Sequence, residues 1–313
     1  MQFFDRTNID FVGKRKQLIT FSLIVIVVGL VVSFIFPPKF GIDFTGGTEV
    51  AVRFEQPVEV SKLRSVVADA GFESSEIKSF GNENSYLIRI QAAENAPETL
   101  KNALNSSFAS NSHETLKVDK IGPKIGNEMR EDAFLAITLA VIVILLYIAF
   151  RFEFAFGLAA VVALFHDVIF TFVVVIIFQQ TGLFSLEIDQ TILAAMLTVV
   201  GYSINDTVII FDRVRENRET MKSKSLVTLF NRSINETLSR SVNTTITTEL
   251  VLVILLFFGG PTLEGFAFTM MIGFLVGTYS SIFIATPFAL WYFNNVKKME
   301  IGELKKKNET AVV

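Results

Sequence analysis

The 313-residue chain is 51% hydrophobic, carries 32 Phe, and has 19% charged residues, where a soluble domain usually has about 25%. The net charge of −3 decides little, because in so apolar a chain the placement of charges matters more than their sum. With no Cys, disulfides and thiolate metal sites are excluded, and the two His, His113 and His166, have no ligand cluster around them, so neither metal nor cofactor is expected.

Along the chain, six apolar runs reach the roughly 20 residues that a helix needs to cross a bilayer core. They cover residues 18–36, 133–150, 155–178, 191–211, 241–258 and 266–293. The first is longer than a typical signal core and is followed by Pro37, Pro38 and Lys39 without a small-residue cleavage pattern, so it reads as an uncleaved span. Basic residues precede it at Arg6, Lys14, Arg15 and Lys16 and recur at Arg151. They recur again at Arg213, Arg215, Arg218, Lys222, Lys224, Arg232 and Arg240, and at Lys297, Lys298 and Lys305, Lys306 and Lys307. Residues 179–190 and 259–265 carry acids and no Lys or Arg. The asymmetry predicts cytoplasmic termini, with residues 299–313 a basic tail that anchors the last helix.

Parity then places residues 37–130 outside, as a domain. The pattern predicts a strand over 48–54, a helix over 59–70, strands over 74–79 and 85–91, a helix over 97–108 and a strand over 115–121. Val50, Val52 and Phe54, and Leu87, Ile88 and Ile90, give strands with one buried face; Leu63, Val66, Val67 and Ala70 recur at helical spacing. The predicted fold class is a six-helix all-α membrane bundle bearing an α+β extracytoplasmic domain of βαββαβ order, which suggests a ferredoxin-like sandwich. Such a sandwich implies no function by itself.

Ionisable groups inside spans cost about 2.5–3.5 kcal/mol on insertion scales and are functional candidates by default. Asp206 lies in GYSINDT, about 8 Å inside the predicted end at Phe211. Asp167 follows His166 in the third span, and Glu249 sits in the fifth. Tyr202 and Ser203 share the helix face of Asp206, so both hydroxyls are candidate donors to it, and Asn205 is a polar neighbour. Arg240 opens a hydroxyl-rich half-helix that is poorly stable facing lipid, and is the candidate partner of Asp206. Paired, the acid stays ionised; separated, it takes up a proton, which makes a switch. A static polar clamp between helices remains the plain alternative. Glu249 stands nine residues from Arg240, on the opposite side of its helix, and needs another explanation. His166 and Asp167 form either a structural pair or a relay. Gly273, Gly277, Ser281 and Ala285 recur every four residues as a small-residue packing stripe.

Several motifs together resemble the SecF family. They are GIDFTGGT with Gly41, Asp43, Phe44, Thr45, Gly46 and Gly47; IGPKIG with Gly122 and Pro123; ALFHD; GYSINDTVIIFDRVREN from Gly201; GGPTLEGF; and IGFLVGTYSSIF. The resemblance implies a subunit of the resistance-nodulation-division superfamily in a prokaryotic cytoplasmic membrane. Its implied partners are a six-span SecD-like chain, the SecYEG channel, YajC, the surrounding lipid bilayer and the unfolded polypeptide being exported. It also implies that Asp206 and Arg240 carry protons and that position 249 is apolar, so Glu249 departs from the pattern. On the residues alone, GIDFTGG is a turn leading into a strand, since it lacks the lysine of a phosphate loop. Two other readings stay open: half of a small-molecule exporter of the same superfamily, or a non-transporting scaffold. An enzyme or nucleic-acid binder is disfavoured, because catalytic spacings and a basic-aromatic surface are missing.

Overall fold

A computed structural model describes residues 7–79, 84–91, 93, 95–221 and 225–298. Arg6, Lys222, Lys224, Lys305, Lys306, Lys307 and the predicted tail at 299–313 lie outside the described residues. The chain forms α1 (Arg15–Ile35), then makes a single helical turn, α2 (Ile42–Thr45), before a small α+β domain. That domain runs β1 (Gly47–Phe54), α3 (Val60–Asp69), β2 (Glu76–Ser79), β3 (Ser85–Ile90), α4 (Ala96–Ser107) and β4 (His113–Ile121). Five further long helical segments follow: α5 (Pro123–Arg151), α6 (Phe154–Thr181), α7 (Gln190–Thr220), α8 (Leu226–Phe258), and a last one in three parts. These parts are α9 (Pro261–Ser280), one π turn at Ser281–Ala285, and α10 (Thr286–Asn295). Six of the described helices are long and apolar enough to cross a membrane.

Three predicted span ends are not helix ends, α5 starting at Pro123, ten residues before its apolar run. Helix α7 continues past Phe211 to Thr220, and α8 starts at Leu226, well before residue 241. Beyond the apolar runs, Val214 packs with Leu226, Leu229, Phe230 and Ile234 in one buried cluster, so burial between two helices replaces lipid contact. Asp206 therefore lies about 21 Å from the end of its helix, near its middle.

The sheet of the α+β domain has the order β2-β3-β1-β4, antiparallel throughout. Val50, Val52, Phe54, Ile88 and Ile90 point to α3 and α4 and form one core with Leu63, Val67, Leu100 and Leu104. Leu87 is on the other face, so it does not share the buried face of Ile88 and Ile90; strand alternation requires this. That other face, with Glu49, Ala51, Leu87 and Arg89, looks across a cleft of about 580 Å³ at Glu187 and Asp189 of the α6–α7 connection.

An ion-pair latch crosses this cleft. Glu187 accepts from Lys78 Nζ at 2.6 Å and from the Arg89 guanidinium, and Arg89 also reaches Glu49 at 2.8 Å. Burial works against the Arg89 charge, and the carboxylates of Glu187 and Glu49 more than offset it, raising that group above its ordinary value. Beside the latch, Gly41 N donates to Ile188 O and Ile188 N to Lys39 O, each at 2.9 Å. Gln179 completes the joint by bonding both the backbone N–H and the carbonyl of Lys39.

Within the bundle, the stripe on the last helix lies against α7. A Cβ built on Gly273 would fall 2.1 Å from Val199 Cγ2, one on Gly277 would fall 3.0 Å from Ser203 Cβ, and Ser281 Oγ is 2.8 Å from Thr207 Oγ1. Ala285, fully buried, is the next residue of the row. Gly273→Ala should therefore destabilise the bundle by about 1–3 kcal/mol through overpacking, outweighing the gain of about 1 kcal/mol in helix propensity. Thermal unfolding in detergent would measure it. Adding Val199→Ala should recover most of the loss, and simple additivity of the two changes would refute the contact as its cause.

Candidate functional site

Helix α7 occupies the middle of the bundle and presents two polar layers one turn apart. In the first, Asp206 is 4% exposed. Ser241 of α8 donates to its Oδ1 at 3.0 Å, and Thr278 of α9 to its Oδ2 at 2.8 Å. Thr278 is also 2.8 Å from the hydroxyl of Thr245, one turn beyond Ser241 on the same face of α8. In the second layer, Asp167 of α6 is 1% exposed and accepts from Ser203 of α7 and, at 2.7 Å, from Ser280 of α9. His166 Nδ1 lies 2.9 Å from Asp167 Oδ1, while His166 Nε2 meets Ser22 of α1. With Nδ1 protonated, the ring donates to the acid and accepts from the serine. Thr207 and Ser281, each one residue beyond Asp206 and Ser280, bridge α7 to the last helix.

The chemistry of this seam follows from its donors. A hydroxyl donates to a carboxylate and equally accepts from a carboxylic acid, so Asp206 keeps its partners in either protonation state. An arginine neighbour would remove that freedom, because it stays charged.

Several predicted contacts are not formed. Arg240 is exposed and makes no ion pair with Asp206, since Ser241 faces the acid and a one-residue step turns the side chain by about 100°. Ser203 bonds Asp167 and not Asp206, and Tyr202 stacks on Phe274 with ring centroids 3.8 Å apart. Asn205 and Gly201 are exposed on α7. Glu249 joins neither layer, and its Oε1 is buried without a hydrogen-bond partner among the described residues. Sequence reasoning missed Thr278 and Ser280 and read Ser281 as packing alone; a hydroxyl-bearing stretch in the last apolar run was the available signal.

The family model described as "Protein export membrane protein SecD/SecF, C-terminal" matches residues 100–295, more than half of the chain, and "SecD/SecF GG Motif" matches residues 31–58. The chain belongs to the SecD/SecF family. A protein translocase subunit SecF of Thermodesulfovibrio yellowstonii is 40% identical, over 93% of this chain and 96% of the relative. The SecF of Pseudomonas aeruginosa is also 40% identical, with 91% of each chain covered. Among solved structures, SecDF of Thermus thermophilus, a translocon-associated membrane protein, matches with a TM-score of 0.82 at 35% identity over 94% of this chain. SecDF in a super-membrane-facing form matches with a TM-score of 0.68 at 33% identity over 95%. The chain spans 40% of the length of either SecDF.

The SecD/SecF glycine motif is a mechanical joint and not a simple turn. Residues 42–45 form α2, whose end is the left-handed Gly46 at φ 71°, followed by Gly47 at φ 147°. A Cβ on Gly46 would meet Pro123 at 3.0 Å, and one on Gly126 would meet Gly46 N at 3.0 Å. Both glycines are needed for this approach, which locks the motif onto the start of α5 after Gly122. Phe44 is buried, Thr45 Oγ1 donates to Gly41 O, and Asp43 accepts from Gln190 N at the start of α7. The glycine motif and the Gly122–Gly126 segment thus hold each other, and they tie α1 to α5 and α7.

Proposed function

We propose that the chain is the SecF-type subunit of a SecDF complex that uses the ion-motive force to help unfolded polypeptide through the SecYEG channel. The observation that carries this reading is a buried carboxylate, Asp206, bonded by hydroxyls alone, with an arginine one residue beyond its donor. Rotation of α8 by about 100° exchanges Ser241 for Arg240 at the acid. Proton arrival favours the hydroxyl arrangement, and proton departure favours the guanidinium arrangement. One charge crossing 100 mV supplies about 2.3 kcal/mol, comparable with the bias between two helix packings. The outer domain, read as a ferredoxin-like sandwich from its βαββαβ order and sheet order, moves with this exchange. Both termini are cytoplasmic in this reading, and the domain faces outward.

A companion is required by the surface. Thr198, Gly201 and Asn205 form one exposed stripe on α7, and Arg240 and Thr247 are exposed on α8. An arginine there facing lipid is costly, so a SecD-like six-span chain covers it. The unequal fit to two SecDF structures supports a family that adopts more than one form. Because the chain has no Cys, Asn205→Cys provides a unique crosslinking point. In native membranes it should capture one companion of SecD type. A crosslink only to a second copy, in a purified oligomer that transports a dye, would overturn the assignment.

A further inference from the structure

A groove of about 480 Å³ lies on the outer wall of the bundle between α1, α6 and the last helix. Ile19, Leu23 and Ile26 form one apolar wall, and Ile284 and Phe288 the other. Arg15 and Lys16 stand at its mouth, beside Trp291. Ser22 and His166, which bond each other, also line it, one helical turn short of Ile26. Arg15 and Ile26 are about 16 Å apart along the helix, close to half of a bilayer core of about 30 Å. The groove is therefore as deep as one leaflet, with its only charges at the headgroup level. No acid lines it, and neither Arg15 nor Lys16 forms an ion pair among the described residues.

We infer that this groove holds one anionic phospholipid, with its phosphate at Arg15 and Lys16 and one acyl chain between α1 and the last helix. Charge selects the occupant. Two cations without an acidic partner favour a lipid of net negative charge over a zwitterionic one, and the apolar walls favour a chain-bearing ligand over a free anion. The bound chain covers the Ser22–His166 contact, where the hydrogen bonds of Asp167 reach the outside of the bundle. Lipid composition thereby acts on the polar seam from its edge.

Trp291 is the only tryptophan and half of it is exposed beside the groove, so it reports occupancy directly. The full chain, with any companion that copurifies carrying Phe in place of its own tryptophans so that Trp291 alone emits, would be placed in phosphatidylcholine nanodiscs containing increasing brominated phosphatidylglycerol or brominated phosphatidylcholine. Quenching of Trp291 should reach its half-point at an about fivefold lower fraction of the anionic lipid. The double change Arg15→Gln and Lys16→Gln should bring that ratio to about one. Raising salt to about 1 M, where screening acts within about 3 Å, should do the same to the unaltered chain and needs no variant. Equal quenching by the two lipids in low salt would overturn the proposal. So would loss of the preference on adding millimolar inorganic phosphate, which would identify a free-anion site.

Discussion

Asp206→Asn will abolish the part of polypeptide export that responds to membrane potential, leaving export at the level seen with no potential imposed. The introduced amide has nearly the same shape, accepts one hydroxyl at its oxygen, and donates from its nitrogen. Thr278 can turn its proton toward Thr245, 2.8 Å away, and accept from that nitrogen. Folding stability should thus change by no more than about 1 kcal/mol. What the amide cannot do is exchange a proton or attract Arg240. Inverted vesicles with an imposed gradient would measure the effect, and full retention of the potential-driven component would end the proposed cycle. Asp167→Asn should behave differently. Its carboxylate accepts from Ser203, Ser280 and His166, so an amide there leaves a donor unmatched and costs about 1–3 kcal/mol in stability.

Glu187→Ala should loosen the α+β domain from the bundle without unfolding it. The change takes the shared carboxylate from Lys78 and Arg89, whose side chains are 28% and 18% exposed. Breaking a fully buried pair costs about 3–5 kcal/mol; with this much solvent contact and Glu49 still holding Arg89, about 2 kcal/mol is expected. Amide exchange at Gly41 and Ile188, which bond across the joint, should quicken by about 30-fold, while the β1–β3 amides keep their protection. Uniform loss of protection through the sheet would mean instead that Glu187 supports the domain's own fold. Acid should loosen the same joint. Burial raises the Glu76 carboxyl, but Lys78, Lys39 and Arg89 outweigh it and leave it below its ordinary 4.5. Its contribution is complete above that value and fades as pH falls through the lowered one. Glu76→Gln should flatten this acid limb.

Much of this architecture was legible because its signals are local. A long apolar run, strand alternation and helical spacing each fix an element within a few residues, so the spans and the order of the outer elements could be read directly. Asp206 and Asp167 declared themselves by the cost of a carboxylate at membrane depth. Their partners did not. Helical spacing correctly put Ser203 on an inward face, but only packing of α6 against α7 decides that it serves Asp167. In this structure Ser241 faces the acid where the sequence pointed to Arg240, a difference of one residue in helical phase that hydropathy does not resolve. The continuation of α7 and α8 was hidden for a related reason, since two amphipathic helices can bury each other beyond any lipid. The latch was illegible because Lys78 and Glu187 are 109 positions apart and are matched by tertiary placement alone.

The glycine interlock has a mechanical corollary. Strand β4 passes into α5 through Gly122 alone, and β1 starts immediately beyond the Gly46 contact with Pro123, so the sheet and α5 are clamped together at two adjacent strands. Along its 29 residues α5 buries only Gly126 and Ile148, near its two extremities. In the cycle proposed above, a rod held so sparingly along its shaft would serve as a crank, delivering torque from its Arg151 end to the sheet at its Pro123 end.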